Sequence, residues 1–271
     1  MNNKHKIIVA DLSILLVEPS KTQAKVIINH LTSEGIGKIE CANSGAQVLQ
    51  ILSEHLPDLI ISSMYLPDMT ATQLVIDIKH TEEYRDIPVM LISSETRFDA
   101  LDPIRQAGVI AILPKPFNHG DIERALRTTL DYIDPDEIVF DHYDIEEVRV
   151  LVVDDSLMAR KHIIRVLNNM GITKITEAKD GREGIETFEN SGKTFDLIVT
   201  DYNMPVMDGQ ELTRYIRTEL DNPYIPILMV TSEENETRLS NVHQAGVSGI
   251  CDKPFEPQTV KELLFRVLDD V

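Results

Sequence analysis

Short apolar runs alternate along this chain with stretches whose apolar residues recur every three or four positions. That alternation predicts strand, helix, strand in repeated succession. It is plainest in the second half. Val150-Leu151-Val152-Val153 reads as a strand that ends at Asp154-Asp155. Ser156 then caps a helix whose apolar positions are Ile163, Ile164, Leu167 and Met170, and Gly171 ends it. Lys174 to Ala178 reads as a short strand and Gly181 to Phe188 as a short helix. Leu197-Ile198-Val199 runs without polar alternation, the habit of a strand buried on both faces of a parallel sheet. Gln210 to Leu220 is the next helix, Pro226 to Thr231 the fourth strand and Thr237 to Ala245 the fourth helix. Ile250 to Lys253 completes the strands, and Pro257 opens a last helix that runs to Leu268.

The same plan occurs earlier, from Leu12 to about Tyr132. Gln106-Ala107-Gly108-Val109 recurs as Gln244-Ala245-Gly246-Val247, an offset of 138 positions. Lys115-Pro116-Phe117 and Lys253-Pro254-Phe255 share that offset, as do Asp58-Leu59-Ile60 and Asp196-Leu197-Ile198, and Ile87-Pro88 and Ile225-Pro226. A repeat this long is a duplicated domain and not a solenoid unit. The expected boundaries are 1–133, an acidic linker 134–147, and 148–271. Pro103 is expected to shorten or kink the fourth helix of the first copy. Ile138, Val139, Phe140 and Ile145 suggest that the linker packs on a domain. The fold class is therefore α/β, two doubly wound (βα)5 domains, each a five-stranded parallel sheet with helices on both faces.

Composition narrows the function. The 271 residues carry 45 acids against 26 bases, a net charge of −19, which argues against nucleic acid as a direct partner. No apolar stretch approaches the length of a membrane span, so no membrane partner is expected and the location is read as cytoplasmic. Cys41 and Cys251 fit no metal-ligand pattern and are read as buried free thiols.

The chemistry collects where the strands end. Asp154-Asp155, Asp201, Thr231-Ser232 and Lys253 all fall at carboxyl ends of strands, which a doubly wound sheet gathers into one crevice. Crowded carboxylates need a cation, and oxygen ligands without Cys or His favour Mg²⁺. A Lys and a Thr hydroxyl facing it suit a phosphoryl group.

Val-Val-Asp-Asp-Ser at 152–156, the run from Asp196 to Gly209, Thr231-Ser232 and Lys253-Pro254-Phe255 together resemble the CheY-like receiver domain of two-component response regulators, twice over the chain. The resemblance implies a flavodoxin-like fold and a phosphoacceptor at Asp201, supplied by a sensor histidine kinase or a phosphotransfer protein. It implies Mg²⁺ on Asp155, Asp201 and the backbone carbonyl of Asn203, with Asp154 helping through water. Thr231 and Lys253 would hold the phosphoryl oxygens, the Lys253–Pro254 bond would be cis, and Asn203 and Glu233 would tune the phosphoryl lifetime. Where the family often has an aromatic, this chain has Ile250, which puts the usual readout of the switch in question.

Spacing shows the first copy to be degenerate. Asp201 to Thr231 and Ser63 to Ser93 are both 30 positions, and Thr231 to Lys253 and Ser93 to Lys115 are both 22. Ser63 thus stands in place of the acceptor, and Glu18-Pro19 in place of the acidic pair. Ser93 and Lys115 remain, and Ile112 matches Ile250. The expectation is a response regulator without an output domain, which is no enzyme beyond its own phosphorylation and dephosphorylation. It would signal by contact with a downstream protein, with the first copy as a dimerisation or docking module. The alternatives are a phosphate sink, or the receiver portion of a longer regulator such as a diguanylate cyclase. A haloacid-dehalogenase-like phosphohydrolase is remote, because Asp201-Tyr202-Asn203 lacks the second Asp of the Asp-x-Asp that such enzymes use.

Overall fold

A computed structural model describes residues 7–134, 144–192, 194–232, 245–255 and 257–265. The chain divides into two compact units, residues 1–135 and 136–271. The first contains β1 (Ser13–Val17), α1 (Lys21–Ser33), β2 (Lys38–Ala42), α2 (Gly45–Leu52), β3 (Leu59–Ser63), α3 (Ala71–His80), β4 (Val89–Ser93), α4 (Phe98–Gln106), β5 (Ala111–Pro114) and α5 (His119–Ile133). The second contains β6 (Arg149–Val153), α6 (Leu157–Asn169), β7 (Lys174–Ala178), α7 (Gly181–Asn190), β8 (Leu197–Asp201), α8 (Gly209–Thr218), β9 (Ile227–Thr231), β10 (Gly249–Asp252) and α9 (Pro257–Leu264). The fourth helix expected at Thr237–Ala245 lies almost wholly outside the described residues, as does the end of the last helix at Leu268.

Both sheets are wholly parallel, in the orders β2-β1-β3-β4-β5 and β7-β6-β8-β9-β10. The two doubly wound domains expected from the strand pattern, and the flavodoxin-like order implied by the resemblance, are thus present. The order turns back between β1 and β3, and again between β6 and β8, so a crevice opens above the carboxyl ends of those pairs. The unbroken apolar runs have the cause assigned to them, since every residue of β3, β4, β8 and β9 is buried. Helices cover both faces of each sheet. In the second unit, Leu151, Ile198, Ile185, Phe188, Leu212 and Ile216 form one core, with Phe188 stacked on Phe195 at 6.1 Å. Each such side chain contributes about 1.5–3 kcal/mol by leaving water.

The helices start where side chains can replace missing backbone acceptors. Ser20 and Ser156 accept from the N–H groups of Gln23 and Ala159, and Asp208 and Glu211 cap each other's backbone at the start of α8. α4, where Pro103 was expected to shorten or kink the helix, spans nine residues with Pro103 inside it. Of the linker residues read as packing, Ile138, Val139 and Phe140 lie outside the described residues. Ile145 is half-buried, in a single 3-10 turn at Ile145–Glu147, and lies over Gly171.

One expectation is corrected. Cys251 is buried, but Cys41 is exposed, because β2 is an edge strand that buries only its last residue. Partial desolvation and the neighbouring Glu40 still raise the Cys41 thiol above its ordinary value. Among the described residues, no helix is long and apolar enough to cross a membrane.

Candidate functional site

Two strand ends of the second unit bring the three acids together. β6 ends at Val153, so Asp154 and Asp155 occupy the turn into α6; β8 ends on Asp201 itself. Because β6 and β8 are adjacent and in register, from Val150 opposite Leu197 to Val153 opposite Thr200, their ends meet. Carboxylate oxygens of Asp154, Asp155 and Asp201 all lie within 4.8 Å of one another. Asp154 and Asp201 are buried and Asp155 is exposed.

Lys253 arrives from the far side of the sheet. Its backbone N–H donates to the Thr231 carbonyl at 2.8 Å, extending the β9–β10 ladder, and the Lys253–Pro254 bond is cis. Its ammonium donates to Asp154 Oδ2 at 2.9 Å and lies 3.1 Å from Asp201 Oδ1. Asp154 Oδ1 accepts from the Ser156 N–H at 2.8 Å, and Asp201 Oδ1 from the Tyr202 N–H at 2.8 Å. Asp201 Oδ2 is buried with no hydrogen-bond partner among the described residues.

The electrostatics follow from two effects of opposite sign. Burial pushes the Asp201 carboxyl up to about 7, with Asp154 and Asp155 adding to it and Lys253 opposing it. Burial likewise raises Asp154 against the pull of Lys253. Burial alone would lower Lys253, but the two carboxylates outweigh it and hold the ammonium above its ordinary value. One ammonium therefore does not neutralise the cluster. An orphaned oxygen on Asp201, an exposed acid at Asp155 and an all-oxygen donor set fit a hard divalent cation.

The other expected residues fall as follows. Thr231 is buried at the end of β9, beside the strand that ends on Asp201. Asn203 is exposed in the loop after β8. Ile250 is half-buried in β10, opposite Met229. Glu233 lies outside the described residues.

Two features escaped the sequence reading. Gly209 packs on the acceptor strand so closely that a Cβ would stand 2.1 Å from the Asp201 carbonyl oxygen. Arg160 on α6 donates to the Asp154 carbonyl at 2.6 Å and to Glu177 at 3.2 Å. A register comparison of the two halves at those positions would have found both.

The first unit places residues at the matching strand ends with one acid in place of three. Ser63 ends β3, and its hydroxyl donates to Glu18 Oε2. Lys115 lies 3.3 Å from that oxygen and also donates to Gln23. The other Glu18 oxygen accepts from the Ser20 N–H at 2.9 Å. Lys115 also donates its N–H to the Ser93 carbonyl, at 2.7 Å, before a cis bond to Pro116. Ser93 is buried, its hydroxyl accepts from the Glu95 N–H, and Pro19 offers no side-chain ligand at all. The one carboxylate is thus satisfied from within.

A family model for the response regulator receiver domain matches residues 14–127 and 150–265. The chemotaxis protein CheY of Pseudomonas aeruginosa is 36% identical over 124 residues, which are 46% of this chain and 98% of that protein. A crystal structure of CheY4 from Vibrio cholerae is 36% identical, with a TM-score of 0.41 over 45% of this chain and 98% of that one. A structure described as a two-component response regulator/GGDEF domain protein is 21% identical, with a TM-score of 0.41 over 94% of this chain and 99% of that one.

Proposed function

Since the chain belongs to the response regulator receiver family in both halves, we propose that it is a one-switch, two-receiver signalling protein whose switch is Asp201. The observation that carries this is the contrast between the two strand ends. Asp201 presents a buried carboxylate oxygen without a hydrogen-bond partner among the described residues, amid excess negative charge, and Ser63 presents a satisfied hydroxyl beside a single acid.

In this reading Asp155, Asp201 and the Asn203 carbonyl hold Mg²⁺, with Asp154 behind them. The cation supplies charge neutralisation for the acids and for the phosphoryl oxygens. An oxygen of Asp201 attacks the phosphorus of a phosphohistidine; the P–O bond forms as the P–N bond breaks, and the imidazole leaves. The product is an acyl phosphate on Asp201, which water later hydrolyses. Lys253, already held at the acceptor, moves its ammonium to a phosphoryl oxygen, and the Thr231 hydroxyl donates to another. The protein modifies only itself. Its donor is a sensor histidine kinase or a phosphotransfer protein, and its output is contact with a downstream protein. The first domain, with its site closed by Glu18, Ser63 and Lys115, serves as a docking or dimerisation module.

Incubation with a small phosphodonor and Mg²⁺ tests the assignment. Phosphorylation is expected in the unmodified chain and is lost in EDTA and in Asp201→Asn. Label that persists in Asp201→Asn would contradict it.

A further inference from the structure

The first domain builds the same sheet and helices without an acceptor. Side chains that only the second domain has, at matched positions, are therefore not demanded by the fold. One such pair lies beside the acidic cluster. Arg160 is the fourth residue of α6, and Glu177 the fourth of β7. Their counterparts, fourth in α1 and fourth in β2, are Ala24 and Cys41. The strand positions also match in register, since Val152 pairs with Glu177 as Leu16 pairs with Cys41. Both partners are missing from the domain in which Pro19 replaces Asp155.

We propose that Arg160, braced by Glu177, is a positioning residue that aims the Asp155 carboxylate into the cation-binding cluster. This rests on the reading that the cluster holds a divalent cation. The Arg160 side chain is only 13% exposed. Its Nε donates to Glu177 Oε2 at 3.2 Å, and its Nη1 to the carbonyl oxygen of Asp154 at 2.6 Å. The peptide group between Asp154 and Asp155 is planar, so a fixed Asp154 carbonyl also fixes the Asp155 nitrogen. The same plane contains the Asp155 Cα, so the point from which the Asp155 side chain leaves the backbone is then set.

That backbone restraint matters because, among the described residues, the Asp155 carboxylate has no hydrogen bond of its own. The Asp154 carboxylate is held by Lys253 and by the Ser156 N–H. Asp155, by contrast, is exposed. A guanidinium suits the task, since its rigid fork reaches two acceptors at once and stays charged at any working pH. A lysine keeps the charge and loses the fork. If Arg160 served only to offset negative charge, removing it would tighten cation binding, the opposite sign to that expected here.

Calorimetric titration of the full chain with MgCl₂ separates these outcomes. Arg160→Met and Arg160→Lys are each expected to weaken Mg²⁺ binding about tenfold, as loss of a group that orients a ligand does. Glu177→Gln is expected to weaken it less, with an unfolding midpoint in EDTA equal to that of the unmodified chain. Glu177→Gln and Arg160→Lys decide the matter if Arg160→Met does not fold. Unchanged or tighter Mg²⁺ binding in Arg160→Lys would overturn the proposal. If Asp155→Asn loses Mg²⁺ while Arg160→Lys keeps it, only the role of Arg160 falls. If Asp155→Asn binds as tightly as the unmodified chain, the cation-site reading fails first.

Discussion

Lys253 and Lys115 hold matched positions but differ in what surrounds them. Lys253 is 4% exposed and faces two buried carboxylates, whereas Lys115 is 24% exposed and faces one. Removing one member of a buried ion pair strands the other charge. Lys253→Met should therefore destabilise the second domain by about 3–5 kcal/mol. Lys115→Met should cost the first domain about 1 kcal/mol. Chemical denaturation of each variant checks this, and equal losses would contradict it. Asp201 gives a second test. Its carboxyl sits at about 7 in the folded chain against an ordinary 3.8. Between those values the folded state binds more protons than the unfolded one, so this group's contribution to stability falls as pH rises. Asp201→Asn removes that cost. Without metal, the variant should be more stable than the unmodified chain by on the order of 4 kcal/mol at pH 8, with a smaller gap at pH 5. Added Mg²⁺ should narrow the gap, because it binds the ionised carboxylates of the unmodified chain and so stabilises it. A gap that does not change with pH would contradict the assignment.

At the scale of elements, the acceptor strand was legible because period and spacing coincide on it. Leu197-Ile198-Val199 announces a doubly covered strand, and the acid at its end recurs in register with a Ser in the other copy. Asp154, Asp155, Thr231 and Lys253 were legible for the same reason, as each lies at a strand's carboxyl end or in the turn that directly follows it. Arg160 and Glu177 were not, because neither lies at a strand end and an Arg on a helix paired with a Glu on a strand leaves no periodic trace. Cys41 was misjudged because apolar content does not reveal that β2 is an edge. Gly209 lies in a loop-to-helix junction, where Gly is read as a turn signal, yet its role is close approach to the Asp201 carbonyl. The matched residue of the first domain is Ala71, at the start of α3. Gly209→Ala should destabilise the second domain by about 1–3 kcal/mol through overpacking and should displace the acceptor strand end. Its Mg²⁺ affinity should fall as well; an unaffected affinity would show that the approach is dispensable.

For the whole molecule, the duplication supplies two versions of one scaffold, one with excess charge at the crevice and one with that charge internally satisfied. The difference does not reduce to a single residue. Ser63→Asp would place a second carboxylate against Glu18, with Pro19 where a ligand is needed. That variant should lose about 1–3 kcal/mol of stability in the first domain and gain no phosphorylation there. The most direct measurement is the intact mass of the full chain after reaction with a phosphodonor and Mg²⁺, followed by peptide mapping. The expected result is one phosphoryl group per chain at saturation, located on Asp201 and absent from Asp201→Asn. Two groups per chain, or a group on the first domain at Ser63, would contradict the one-switch account.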